Sequence, residues 1–510
     1  MKPPTLTQST KNKHPAAVLG IIVRQSVSNT IISYIGISLG FVLTILLYPH
    51  ILTPGEYGLT RVLISASYIC SFFAHLGFHN VIIRYFPFFK KAAPDNHGFL
   101  FWTLVIPAIG FLLFIVLFFI GRDSLIAFYS ERSPLFTDYY LWVIPITLFL
   151  VYFEVLNNYL RSLRDSVSGM IAYEIVQRLT AITGLGLYFF EWISFPAFIA
   201  FFACSYLFLP LLMAVQIWRK KAFSLKPNFG IIRKSLVKCI ANYGLYSLMG
   251  GLTTIIVWNV DIIMLGALAG LDQTGIYAIA FYIASVIAIP QRAIDRIAAP
   301  LISSFIKNKE WDEVGTIYRK TSINQLIPGL LIFGLIWIHL DSLYLIMPEV
   351  YSAGKWVVFI IGLGKLFEVV TGANGTILLN SKHYRVSFYT NVFLVVITIA
   401  ANYMLIPVYG IEGAAIASAL AIVTFNSIKY LFILIRLRLQ PFTTATFWVT
   451  ILGFFSLYLC YAIIDFQSIW LNIPLKTLLF LIFYFLPVVY LNVSPDLNNL
   501  LSTIVKKITL

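Results

Sequence analysis

Apolar runs of about 20 residues, separated by short polar breaks, recur in this chain from near residue 28 to near residue 492. A run of that length crosses the ~30 Å hydrocarbon core of a bilayer as an α-helix, the structure that satisfies every backbone N–H and C=O within one segment. Composition agrees, since 59% of the 510 residues are hydrophobic and 11% are charged, against roughly 25% charged in a soluble domain. Taking the runs as bounded by charges, prolines and glycines gives about 14 spans, near 28–49, 59–83, 99–120, 139–160, 169–190, 196–218, 243–266, 274–293, 321–345, 353–379, 386–407, 411–435, 446–464 and 472–492. The expected fold is an all-α polytopic membrane protein.

The net charge of +15 is spread over many short loops, so nucleic acid is not an expected partner. With the N-terminus inside, 28 of the 36 Lys and Arg fall on inner segments, and Arg122, Arg132, Lys355 and Lys476 fall outside. Arg61, Arg178, Lys365 and Lys429 lie within spans. This asymmetry places both termini in the cytoplasm and requires an even number of spans. The first apolar run is too long for a signal-peptide core and is expected to be retained.

The basic stretch RKKAFSLKPNFGIIRKSLVK, residues 219–238, falls near the middle of the chain. It suggests a cytoplasmic arm at 1–27, an N-lobe of six spans at 28–218, a basic inter-lobe loop at 219–242 and a C-lobe of six spans at 243–435. Two further spans at 436–492 and a cytoplasmic tail at 493–510 complete the organisation. A faint internal repeat supports two lobes. The outer corner TPGEYG at 53–58 has an echo between Gly270 and Tyr277, and PVYGIEGAAIASALA repeats the pattern at 407–421. The corner at 53–58 reads as a tight turn, with Pro54 and Gly55 reversing the chain.

No phosphate-binding loop, nucleophile elbow or zinc motif occurs, and no enzyme activity or cofactor is expected. Cys70, Cys204, Cys239 and Cys460 have no metal or disulfide spacing. His75 and His79 lie one turn apart without a nearby third ligand in sequence, so packing is expected rather than metal binding.

Four segments resemble the polysaccharide transporters, or Wzx-type O-antigen flippases, of the multidrug/oligosaccharidyl-lipid/polysaccharide exporter superfamily. They are LTPGEYGLTRVL, LGFHNVIIRYFP, NVDIIMLGALAGLDQTGIYAIAFYIA and PVYGIEGAAIASAL, and their order covers nearly the whole chain. The resemblance implies two pseudo-symmetric six-helix lobes around a central cavity, with spans 13 and 14 as additions. It implies alternating-access movement of a polyprenyl-pyrophosphate-linked oligosaccharide, an O-antigen or capsular/exopolysaccharide repeat unit, to the outer leaflet of the bacterial cytoplasmic (inner) membrane. Na⁺ or H⁺ coupling, membrane lipids and polysaccharide-assembly proteins as partners, and a monomeric state are expected with it. A cation-coupled multidrug antiporter of the same superfamily is the nearer alternative, and a lipid II flippase is a third. A membrane polymerase or ligase fits less well, because the outer loops are short.

A pyrophosphate-linked sugar needs countercharge and hydrogen bonds. Ionisable residues within spans, each costing ~2.5–3.5 kcal/mol to insert, are the natural candidates. Arg61 near the outer end of span 2 is an outer cavity wall or a snorkelling side chain. Arg84 at the inner end of that span is an anchor or a substrate gate. Glu174 and Arg178 share a helix face and can pair, as can Lys365 and Glu368 near the middle of span 10. Arg292, Asp295 and Arg296 cluster at the inner end of span 8, to meet the pyrophosphate or to bridge the lobes. Asp261 in span 7, close to Asn259, is the ion-coupling candidate, with cavity lining and interfacial hydration as its alternatives. Glu154 and Lys429, nearer inner ends, are expected to snorkel.

Overall fold

The computed structural model describes residues 15–89, 98–226, 234–463 and 469–508. Residues 1–14 of the expected arm, 227–233 of the inter-lobe loop and 509–510 of the tail lie outside the described residues, as do 90–97, with Lys90 and Lys91, and 464–468.

Every regular element among the described residues is a helix, and the chain is a multi-pass, all-α membrane protein. Among the described residues, ten helices are long and apolar enough to cross a bilayer, or eleven when Glu349–Val370 and Asn374–Asn380, bent by 48°, count as one broken span. Local breaks explain why this number differs from the apolar runs in the sequence. The eleventh and twelfth runs are two helices within Tyr384–Leu437 that meet without a loop at Gly410, whose conformation (φ 56°, ψ −128°) only glycine adopts easily, so they count together. The fifth run is divided by a π-helical turn, Ala172–Val176, between Val167–Ile171 and Gln177–Phe189. The seventh lies within Lys234–Leu268, whose apolar part Ile255–Leu268 is short.

The helices gather into two compact units. The first comprises Met1–Leu47, Cys70–Ile120 and Leu141–Leu248, and the second Tyr48–Ile69, Gly121–Tyr140 and Met249–Leu510. In the first unit the chain breaks at residues 75–77, where Leu76 (φ 51°) and Gly77 (φ 70°) are left-handed. A side chain at Gly77 would fall on the carbonyl of Gly244, and one at Gly110 on that of Ala74. Phe86, Phe99 and Tyr159 fill the space beyond, Phe86 meeting Tyr159 edge-on at 5.5 Å.

In the second unit the corner at Thr53 differs from the tight turn read from the sequence. Pro54 and Gly55 are already the first helical residues of Pro54–Ala74. The Thr53 backbone N–H donates to the Glu56 carboxylate at 2.8 Å, and the Glu56 N–H donates to the Thr53 hydroxyl at 3.3 Å. This is a capping box, with proline at the first helical position, where its missing N–H costs nothing. The echo of this corner is the start of Leu271–Ser285, preceded by Gly270 at φ 101°.

The two starts pack against each other reciprocally. A methyl group at Gly58 would fall on the carbonyl of Leu271, with its carbon at 2.9 Å, and one at Gly275 would meet the carbonyl of Pro54, again with its carbon at 2.9 Å. Pro54 and Leu271 each open their helix, and each glycine lies four residues further on. The repeat is therefore matched by a local two-fold packing of backbone on backbone. Tyr129 donates to the Ile263 carbonyl at 2.9 Å and ties the 121–140 segment to the same corner.

The last two long apolar helices, Thr444–Ile463 and the run from Ile469 to Tyr490, pack on Trp311–Tyr344. Phe480 occupies the space left by Gly334, and the Tyr484 hydroxyl donates to the Ile327 carbonyl at 2.9 Å.

Candidate functional site

A cavity of about 140 Å³ opens within the second unit, room for several waters. Its polar wall is made by Lys365, Glu368, Asn391, Thr398, Ser418 and Asn426, and its aromatic wall by Trp258, Phe281 and Phe425. Four elements supply these groups: Lys234–Leu268, Leu271–Ser285, Lys355–Val370 and the paired helices Tyr384–Leu437. Close approach of backbones shapes the wall, since a side chain at Gly364 would come within 3.2 Å of the Cα of Ala419.

Lys365 is 5% exposed, a depth at which an ammonium must be paired. Its Nζ donates to Glu368 Oε2 at 2.8 Å and lies 4.8 Å from the centre of the Trp258 ring. The i, i+3 spacing places the pair on one helix face, and Trp258 adds a cation–π contact from a second helix. Further along the wall, Asn426 Oδ1 accepts from Asn374 Nδ2 at 3.1 Å, and the buried Lys429 ammonium sits 3.6 Å from the Phe425 ring centre.

Asp261 lies behind this wall, 4% exposed, one turn along its helix from Trp258. Asn402 Nδ2 donates to one carboxylate oxygen at 2.6 Å. The Tyr277 hydroxyl donates to the other at 3.0 Å, and Ser418, which also faces the cavity, donates to that same oxygen. Three neutral donors from three different helical segments thus converge on the two oxygens of this buried side chain. The Asn402 side-chain oxygen is buried with no hydrogen-bond partner in the structure. Asn259, the neighbour suggested by sequence, turns back to its own helix at the Ile255 carbonyl.

The other candidates fall elsewhere. Arg61 stacks over Tyr48 and Tyr57, with its guanidinium carbon 5.3 and 4.9 Å from the ring centres. Arg292 and Arg296 are exposed, and Asp295 accepts from Gln325 Nε2 at 2.8 Å. In the first unit, Arg84 lies 4.3 Å over the Tyr243 ring. Glu174 and Arg178 form an ion pair at 2.7 Å, and the Glu174 carboxylate occupies the space left by Gly36. The His75 and His79 rings lie 4.1 Å apart, tilted by 44°, and the Gly77 N–H donates to His75 Nδ1 at 3.2 Å. Among the described residues no group of three or more potential metal ligands forms.

The sequence reading missed Tyr277, Asn402, Ser418 and Trp258. The available signal was weak: an Asn and a Ser inside the apolar runs on either side of PVYGIEG.

Between helices, Asp165 pairs with Lys220 at 3.1 Å. Burial pushes the Asp165 carboxyl up, but the Ser168 N–H and hydroxyl and the Lys220 ammonium outweigh it and hold the group below the usual carboxylate range.

Comparison with known proteins supports both fold and family. The fold is similar to a structure of the lipid II flippase MurJ (TM-score 0.62, 14% identity, covering 87% of this chain and 97% of that one). It is also similar to an inward-facing multidrug resistance MATE family transporter of the MOP superfamily (TM-score 0.60, 14% identity, covering 82% and 98%). At these identities the likeness concerns the fold alone. Over 215 residues the sequence is 28% identical to the probable flippase AglR of Haloferax volcanii, covering 40% of this chain and 44% of that relative. The chain thus spans less than half the length of that curated relative in the match. Residues 22–305 match the model of the polysaccharide biosynthesis protein family, which is more than half of the chain, and the chain belongs to that family.

Proposed function

We propose that this chain is a flippase that carries a polyprenyl-pyrophosphate-linked oligosaccharide, the repeat unit of a surface polysaccharide, from the inner to the outer leaflet of the cytoplasmic membrane, with both termini on the cytoplasmic side. The observation that carries the reading is a cavity whose largely apolar wall also presents hydroxyls, amides and the Lys365–Glu368 ion pair. Hydrocarbon offers no partner for sugar hydroxyls, so a moving head group needs such a wall while its tail stays in lipid. The work is binding and conformational exchange, and no covalent step is involved.

Asp261 supplies a place for the driving cation, which we assign as Na⁺. Carboxylate, amide and hydroxyl oxygens suit a hard cation, and Asn402 can present its unpartnered oxygen by rotating its amide. The cation would draw on groups from Lys234–Leu268, Leu271–Ser285 and both halves of Tyr384–Leu437, so its arrival and departure bias how those helices pack.

Complementation of a strain lacking its own flippase tests the substrate. Restored surface polysaccharide and clearance of accumulated lipid-linked precursor are expected. No rescue, together with drug resistance on expression, would instead establish the multidrug antiporter reading.

A further inference from the structure

We propose that Lys365 is a tethered competitor of the coupling cation, switching between Glu368 at the cavity and Asp261 behind it. The proposal rests on the assignment of Asp261 as the cation site. Three placements support it. The Lys365 ammonium lies 4.8 Å from the Trp258 ring centre, and Trp258 is three residues, one helical turn, from Asp261, a separation of about 5–6 Å between Cβ atoms. Lys365 and Ser418 line the same cavity wall, and Ser418 is bonded to Asp261. Between them the Gly364–Ala419 approach keeps the two helices close, so a flexible four-carbon stem can exchange one carboxylate for the other.

In the structure Lys365 sits on Glu368 and three neutral donors occupy Asp261. This is the arrangement that admits a cation, because two positive charges cannot share the Asp261 carboxylate cheaply. With Na⁺ bound, Lys365 stays on the cavity wall, where it can meet an anionic head group. When Na⁺ leaves, Lys365 moves toward Asp261, and the wall loses one positive charge. Cation occupancy and head-group affinity are thereby linked through a single side chain, and linkage requires that each strengthen the other.

The test uses the full-length protein purified in detergent, with its thermal transition followed against NaCl at constant ionic strength set by choline chloride. The wild-type transition is expected to rise with Na⁺, and D261N is expected to abolish the rise. K365Q removes the competitor and should lower the half-saturating Na⁺ concentration by about tenfold, within the usual range of site-to-site coupling. E368Q frees Lys365 for Asp261 and should raise that concentration. K365R keeps a cation at the position and should stay near wild type. If D261N abolishes the response while K365Q and E368Q leave the midpoint unchanged, the competitor role is overturned and the cation site stands. If D261N responds to Na⁺ as the wild type does, the cation site itself fails. Should K365Q not fold, E368Q alone decides, because an unchanged or lowered midpoint contradicts the switch.

Discussion

Replacing Gly58 with alanine probes the reciprocal packing of the two helix starts at Pro54 and Leu271. Two effects oppose each other. Alanine in a helix is favoured over glycine by about 1 kcal/mol. The added methyl, however, meets the Leu271 carbonyl, with its carbon at 2.9 Å and the Gly275 nitrogen at 3.1 Å. These are backbone atoms held within a second helix, so no rotamer change relieves the clash, and overpacking of this kind costs about 1–3 kcal/mol. Gly186 supplies the control, because a methyl there has nothing within 4 Å and should yield the helical gain alone. G58A should therefore lie below G186A by about 1–3 kcal/mol, seen as a lower thermal transition of the purified protein in detergent.

The reciprocal geometry adds a sharper expectation. Once one methyl has pushed the helix starts apart, the second contact is already lost, so G58A/G275A should cost about as much as either single variant and less than their sum. G58A as stable as G186A, or strict additivity in the double variant, would refute the interlock.

Three further outcomes follow from contacts described above. Asp165 is held below its ordinary pKa when folded, so its contribution to stability is present above about pH 4, the unfolded value, and is lost as pH falls through the folded value; D165N should thus be less stable than wild type near pH 7, with the gap closing in acid, measured as thermal transitions across pH. R178M should reduce folded protein in membranes more than E174Q/R178M does, because the single change strands a carboxylate against Gly36; detergent-extracted yield checks this. T53A removes the hydroxyl half of the capping box and should cost about 0.5–2 kcal/mol, whereas T53S, which retains the hydroxyl, should stay near wild type in the same thermal assay.

The fold was legible because its determinants are local. Run length specifies a helix long enough to cross a bilayer, without knowledge of any neighbour. The pairs Glu174–Arg178 and Lys365–Glu368 were legible for the same reason, since helix periodicity alone brings them together. What escaped depends on separation in sequence. Asn402 and Ser418 reach Asp261 across 141 and 157 residues, and no pattern along one helix reveals a partner on another. The corner at Thr53 was misread because Thr-Pro-Gly is compatible with both a turn and a helix start. The decisive residue was Glu56, three positions after Thr53, which completes the capping box. Arg292 and Arg296 illustrate the reverse case: helix spacing would let them face Asp295, yet both are exposed and Asp295 accepts from Gln325 on another helix.

The break at Gly410 has a consequence for how this chain can vary. Asn402 lies eight residues before it and Ser418 eight residues after it, and both grip the same carboxylate. At 1.5 Å per residue each stands about 12 Å from the vertex, so the two arms form a caliper whose jaws are set by the joint. Inserting one residue within an arm, between the joint and its jaw, would rotate that jaw by about 100° and carry it off Asp261. The spacing along each arm is therefore as constrained as the identity of the residues it aligns.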